Sequence, residues 1–571
     1  MQTIASAGPR KRIVLEAALL AVLPVVLLLI VGASTWTPPN TPDSEFYLTL
    51  GVFGHDITAR ALTPAYYWTR LGVVSPMRLF TWLLGPDAGV WMWRWLMISV
   101  AIVPTYFFGR RLKGVAAAAA GTAFVLLNSV FITVVGNTYP TGAVVSLLIA
   151  EGAVLGLALL VGRRASIALV ALAGAAVGWV AMSNQIAAVF AILLMVPFAV
   201  VMLRRSWRHA LLAWALAAAA TALVFTAFLW TGTLLFPGLD WLETTRYYAG
   251  ILDSAAFRAA DLTWLGSSPN LIVIPLVICA AALVAITVRR ATAPVGALAL
   301  GTTFCLLYAL WSEFVAGGVL LQTPVYVAML WGPSLILGAA VIFMLVPDGP
   351  WGWAAAGAFG LAAVLVGTYW TAAISSLPWG ILVGAVAIAG LVAWRVARAP
   401  EKAAVGIVSA LLLVGGVQVL QNGTPVEANV LSLRIPFWTA YRSNLAPAIK
   451  QQDIAVQQWV IDQTAGGHVL VWAPDPAFGS VAAMSLNGPN ALSMTADLSA
   501  DQITWARTTG PGFVLSIAGT ASNVRTLATR LRQSGIETGA PKCTSFKGVD
   551  GLPTAFACVT GINVLGPGST M

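Results

Sequence analysis

Charge is scarce in this chain: Asp, Glu, Lys and Arg together make up 9% of 571 residues. Histidine, with three, and cysteine, with four, are rarer still. The cysteines show no paired metal-ligand spacing, which excludes a zinc ribbon or a Cys-x-x-Cys redox centre. A phosphate-binding P-loop, a His-Glu-x-x-His zinc helix and a Gly-x-Ser-x-Gly nucleophile elbow are all missing, which argues against the chemistries that depend on them. What the chain has instead is apolar sequence, at 59% of all residues. Long apolar runs recur from end to end, and roughly 20 such residues carry a helix across the hydrocarbon layer. Backbone polar groups find no water there, so helices are the default spanning form. The sequence describes a polytopic α-helical membrane protein.

The net charge of +10 does not point to nucleic acid, because the basic residues sit in short loops between apolar runs. They cluster at Arg10-Lys11-Arg12, Arg110-Arg111-Leu112-Lys113, Arg163-Arg164, Arg204-Arg205 with Arg208, Arg289-Arg290, and Arg395 to Lys402. This is the positive-inside pattern. Spans are expected at 13–33, 88–109, 114–134, 140–161, 165–181, 186–203, 210–231, 271–288, 294–311, 324–346, 351–372, 378–394 and 403–420. These number about thirteen. With the N-terminus in the cytoplasm, every basic cluster falls inside and the segment from 421 falls outside the cell membrane. The first segment lacks a small-residue cleavage site and is expected to stay attached. The richness of the spans in Ala, Gly and Val resembles high-GC actinobacterial proteins.

Two domains follow: a transmembrane domain at 1–420 with external loops 34–87 and 232–270, and an extracytoplasmic α/β domain at 421–571. The loops mix aromatic and polar residues, as in Tyr66-Tyr67-Trp68, Trp241 and Tyr247-Tyr248. Such mixing suits helices lying in the membrane interface. In the tail, helices are expected at 450–464, 499–508 and 524–532, and strands at Val469–Trp472 and Phe513–Ser516. Closing strands carry Cys543 and Cys558, expected to pair in an oxidising exterior through a hairpin at Gly548-Val549-Asp550-Gly551.

An acidic pair, Asp43 and Glu45, opens the first external loop just after the first span. If Pro42 starts a helix capped by Thr41, the two side chains point about 200° apart. Asp43 then faces a cavity while Glu45 contacts the chain or a metal. The helix dipole keeps a first-turn carboxylate ionised and able to accept a proton. A plain helix-start acid is the competing reading of the same spacing.

The stretch from Asp43 to Gly114 resembles the first loop and second span of GT-C type glycosyltransferases, nearest to the protein O-mannosyltransferase and lipid A aminoarabinose transferase superfamily. The elements are Asp43-Ser44-Glu45, Tyr66-Tyr67-Trp68, Arg94 and Gly109-Arg110-Arg111-Leu112-Lys113-Gly114. The resemblance implies a GT-C-like bundle that moves a sugar from a polyprenyl-phosphate donor to a cell-envelope glycan, glycolipid or protein. It implies Asp43 as general base, and mannose and arabinofuranose are the first sugars to try. A single base suits one displacement with inversion. Arg94 would face the departing phosphate or hold the acidic pair, with snorkelling to the interface as the alternative. An Arg at the bilayer centre costs about 2.5–3.5 kcal/mol on insertion scales.

The chain departs from that pattern at the other outer turns. Asn137 and Tyr139 stand where relatives often carry an acid, Asn184 where they carry a Lys, and Gln322 with Tyr326 where they show an Arg-Tyr pair. His55, Arg246 and Arg258 in the loops are candidates for the missing charges. The residues leave open whether Asp43 and Glu45 hold a divalent cation (Mg or Mn). Membrane lipids are expected partners and nucleic acid is not.

Glu151 falls near the middle of the fourth span, where a carboxylate must be paired, protonated or face a cavity. It carries the competing functional reading, a multispan transporter or lipid flippase dependent on Glu151. A non-catalytic envelope scaffold is the third.

Overall fold

The computed structural model describes residues 9–30, 47, 50–51, 68–126, 128–136, 140–236, 240–252, 275–276, 278–280, 282–283, 292–316, 320–321, 324–346, 350, 353, 459, 462–463, 469–472, 491–494, 512–517, 528–529, 531–533, 536–546 and 555–564. In chain order the helices are α1 (Pro9–Ile30), α2 (Leu71–Leu84), α3 (Pro86–Leu112), α4 (Val115–Leu126), α5 (Ser129–Gly136), α6 (Pro140–Ala158) and α7 (Arg163–Ser183). They continue as α8 (Gln185–Arg205), α9 (Trp207–Leu235), α10 (Trp241–Leu252), α11 (Ala293–Phe314), α12 (Pro324–Val327) and α13 (Trp331–Leu345). Among the described residues seven helices are long and apolar enough to cross a membrane, so this is a multi-pass membrane protein. The expected spans 351–372, 378–394 and 403–420 lie outside the described residues apart from Trp353, and 271–288 is described only at scattered helical positions.

Two compact units divide the chain. The first comprises residues 1–33, 92–228 and 249–439. At its centre is α6, with 94% of its span buried, against 11% for α9. Small residues make that enclosure possible, since lipid supplies no hydrophobic drive for helices to associate and close backbone approach must do so. A Cβ on Gly152 would lie 2.9 Å from Ile336 and 3.1 Å from Leu298, and one on Gly156 would lie 2.7 Å from Phe108. α7 and α9 run parallel in fixed register. Ser166 meets His209, Gly174 meets Ala217 and Gly178 meets Thr221, the same 43-residue offset each time. The Thr221 hydroxyl donates to the Gly174 carbonyl at 2.7 Å.

Helix ends in this unit are tied by arginine. Arg205 donates to the Leu159 carbonyl at 2.8 Å and Arg111 to the Leu160 carbonyl at 3.4 Å, satisfying acceptors just past α6. Arg110 pairs with Glu16 at 3.0 Å.

Two expected spans are subdivided. In place of one helix over 114–134, α4 and α5 meet at Asn128, whose side-chain oxygen accepts from the Phe131 N–H at 3.1 Å. Asparagine favours such a cap over a helix interior, which breaks the run. Within 324–346, a 3₁₀ turn at Ala328–Leu330 separates α12 from α13. Pro333 offers no N–H to the Met329 carbonyl, so the regular ladder is interrupted there.

The second unit comprises residues 34–91, 229–248 and 440–571, so compactness does not cut the chain once after residue 420. The first external loop, and the second as far as residue 248, group with the tail. In it α2 buries Leu71, Val73, Val74 and Met77, and leaves Leu79, Trp82 and Leu83 exposed. The two loops interlock: Trp68 stacks on Phe236 with centroids 5.8 Å apart, and the Trp241 indole donates to the Thr69 carbonyl at 2.9 Å. Gly232 admits the Leu71 side chain, at 2.5 Å from where a Cβ would stand.

The tail forms a six-stranded sheet of β1 (Val469–Trp472), β2 (Ala491–Met494), β3 (Gly512–Ile517), β4 (Ile536–Thr538), β5 (Lys542–Phe546) and β6 (Ala555–Val564). β2, β1 and β3 are parallel, and β6 runs antiparallel to β3. β4 and β5 pair with opposite halves of β6 on its other side. Cys543 stands directly across from Cys558 and the two are disulfide-bonded. β2 and β4 have no counterpart among the strands expected from the sequence. Residues 459, 462–463, 528–529 and 531–533 are helical, while the expected helix 499–508 lies outside the described residues.

Candidate functional site

Asp43, Glu45, His55, Asn137, Tyr139, Arg258 and Gln322 lie outside the described residues. The segment just past the acidic pair is described in part. Tyr47, Leu50 and Gly51 are helical; Tyr47 is 1% exposed. The Gly51 carbonyl accepts from the Thr81 hydroxyl of α2 at 2.8 Å, and Met77 packs on Gly51 itself. In sequence, Asp43 and Glu45 stand four and two residues ahead of this docked tyrosine.

The same unit buries an arginine that the sequence reading passed over. Arg70 is 3% exposed at the head of α2, and its carbonyl accepts from the Val73 and Val74 N–H groups. Its position two residues after Tyr66-Tyr67-Trp68 was the available signal, since a cation beside an aromatic stretch is otherwise expected to reach water. Arg246 is exposed on α10, whose first turn is closed by the Asp240 carboxylate accepting from the Glu243 N–H at 2.8 Å.

In the first unit, Arg94 sits eight residues into α3, about 12 Å along the helix. It is fully buried, so the snorkelling alternative does not describe it. Asn184 joins α7 to α8, 2% exposed, and its side-chain oxygen accepts from the Ile186 and Ala187 N–H groups at 3.0 and 3.4 Å. That oxygen is committed to capping a helix. Tyr326 is half-buried beside a core that includes Leu147, Phe190, Leu321 and Met329. Glu313, on the last turn of α11, accepts from the Leu321 N–H at 2.9 Å and so fixes the turn that leads toward Tyr326. The sequence reading missed Glu313 as well, because it sits past the last clearly apolar residue of its span.

Glu151 is enclosed in α6, and neither carboxyl oxygen has a hydrogen-bond partner among the described residues. Among the described residues no three His, Cys, Asp or Glu side chains cluster as metal ligands.

No protein-family model matches the sequence, and neither does any curated protein. Solved structures do resemble it. ArnT from Cupriavidus metallidurans bound to undecaprenyl phosphate aligns with a TM-score of 0.55 at 14% identity, over 95% of this chain and 97% of that one. The apo state of the same protein gives 0.50 at the same identity and coverage. An apo oligosaccharyltransferase from Archaeoglobus fulgidus gives 0.42 at 11% identity, over 88% of this chain and 69% of that one. At that identity the likeness shows the fold: a multi-pass helical membrane bundle with a small C-terminal sheet, as in ArnT.

Proposed function

We propose that this protein is a membrane glycosyltransferase that takes a sugar from a polyprenyl-phosphate carrier and delivers it to an envelope acceptor on the outer face. The observation that carries the reading is the end-to-end likeness to ArnT, a protein whose solved structure holds undecaprenyl phosphate. The chemistry suits what this chain offers. A glycosyl phosphate brings its own leaving group, so the protein must supply a base for the acceptor hydroxyl and positive charge near the departing phosphate. Asp43 is the base: its carboxylate takes the hydroxyl proton as the acceptor oxygen bonds to the anomeric carbon and the bond to phosphate breaks. Arg94 is the cation proposed for the phosphate, and Glu45 supports Asp43. His55, Asn137, Tyr139, Asn184, Gln322, Tyr326 and Arg246 are proposed substrate contacts, with Asn184 limited to its amide nitrogen. The donor sugar is proposed as mannose or arabinofuranose.

The test supplies purified, reconstituted protein with radiolabelled polyprenyl-phosphate mannose, polyprenyl-phosphate arabinofuranose or the corresponding nucleotide sugars, together with envelope acceptors. Label should move from a polyprenyl-phosphate donor and not from a nucleotide sugar. Transfer from a nucleotide sugar alone would overturn the reading.

A second reading is favoured by one observation, the carboxyl of Glu151 inside α6, which has no hydrogen-bond partner among the described residues. A proton-coupled transporter or flippase would use such a group. Solute or lipid flux in proteoliposomes that disappears in Glu151→Gln, with no sugar transfer, would favour it.

A further inference from the structure

The arginines at one end of the first unit divide into two sets. Arg111 and Arg205 are engaged on the carbonyls of Leu160 and Leu159, and Arg110 on Glu16. Arg163, Arg164 and Arg204 are exposed and make no hydrogen bond or ion pair with another described residue. Arg208, also exposed, lies over the Trp207 ring at 5.2 Å. The fold gathers these four. α7 and α9 begin side by side, with Ser166 3.5 Å from His209, and α8 ends one residue before α9 begins. Neither α7 nor α9 has an acid in its first turn, and the Gly162 cap of α7 supplies no side-chain acceptor. No acidic residue occurs between Glu151 and Asp240. Among the described residues no acidic group pairs with any of these four arginines at neighbouring helix ends, and the positive ends of two helix dipoles add to them. Beside them Leu203, Trp207, Leu211 and Leu212 present exposed apolar surface, from 43% to 59% exposed.

We propose that this face binds the headgroup phosphate of an anionic phospholipid, with Arg163, Arg164, Arg204 and Arg208 as its ligands and the neighbouring leucines and Trp207 against its acyl chains. Charge complementarity selects the occupant: forked guanidinium donors match phosphate oxygens, and the apolar surface excludes a free, fully hydrated anion as the natural guest. The site stands independently of the glycosyl-transfer reading. It places a lipid at the end of α7, α8 and α9 that the positive-inside pattern assigns to the cytoplasm.

The experiment is native mass spectrometry of the purified full chain with phosphatidylglycerol or phosphatidylcholine. Wild type is compared with Arg164→Gln/Arg204→Gln/Arg208→Gln and with a charge-matched control, Arg395→Gln/Arg398→Gln/Lys402→Gln. The wild type should retain phosphatidylglycerol in preference to phosphatidylcholine. The first triple variant should lose that retention on the order of tenfold or more, and the control should keep it. Equal loss in both triple variants, or none in the first, would overturn the site. So would displacement of the lipid by millimolar inorganic phosphate, which would mark a free-anion site. All three patch positions are exposed, so the variant should fold, and an unchanged thermal unfolding midpoint verifies this.

Discussion

The two compact units are built on opposite plans. The first is a set of apolar helices held by backbone contact, as where α7 and α9 meet at Gly174 and Gly178 in constant register. The second is assembled from three stretches far apart in sequence and relies on directional contacts: the Trp68–Phe236 stack, the Trp241–Thr69 hydrogen bond, sheet pairing and a disulfide. The difference teaches where each unit can be damaged. Helix packing in lipid should fail through added volume or the loss of a fully buried polar side chain, and the mixed unit through lost cross-links.

Variants can break or sharpen that contrast, and the largest expected effect on stability is at Arg94. Arg94 is fully buried and engages neighbouring groups, so Arg94→Ala, which strands those groups and empties the side chain's space, should cost about 3–5 kcal/mol, read as a large drop in the first unit's thermal unfolding midpoint. Next is the disulfide, which spans 15 residues between Cys543 and Cys558. Cys543→Ser/Cys558→Ser should cost about 3 kcal/mol and speed proteolysis of the tail while sparing the helical unit. Gly178→Leu should cost about 1–3 kcal/mol by overpacking, because a Cβ there would already lie 2.6 Å from the Thr221 carbonyl oxygen. That loss should appear in the first unit and leave tail proteolysis unchanged. The smallest effect is Asn184→Ala, about 1 kcal/mol for a lost helix cap, with sugar transfer retained if the residue acts only as a cap. A fall in transfer with no loss of stability would return Asn184 to the substrate-binding set.

The helical unit was the more legible of the two from sequence. Apolar run length alone located α3, α6, α7, α8 and α11 to within a few residues, because lipid imposes one length and one backbone form. The breaks at Asn128 and Pro333 were missed, since a single polar cap or proline hardly changes the hydropathy of a window. The joining of the two loop regions was not legible at all, because Thr231 and Ser75 meet across 156 residues with no local mark in either segment. β2 and β4 were missed because four- and three-residue strands carry too few alternations to register. At the candidate site, hydropathy made Arg94 and Glu151 conspicuous as charges in apolar sequence. Arg70 and Glu313 sit at helix ends, where charge is ordinary, and only their burial distinguishes them.

One paired measurement tests the central claim, that the chemistry belongs to the first-loop acidic pair and not to the buried glutamate. Sugar transfer from a polyprenyl-phosphate donor is measured for wild type, Asp43→Asn and Glu151→Gln at matched folded protein. Loss of a general base should lower the rate of Asp43→Asn by about 10²–10⁴-fold while Glu151→Gln keeps most of the wild-type rate. Undiminished transfer by Asp43→Asn, with the loss falling instead on Glu151→Gln, would contradict the account.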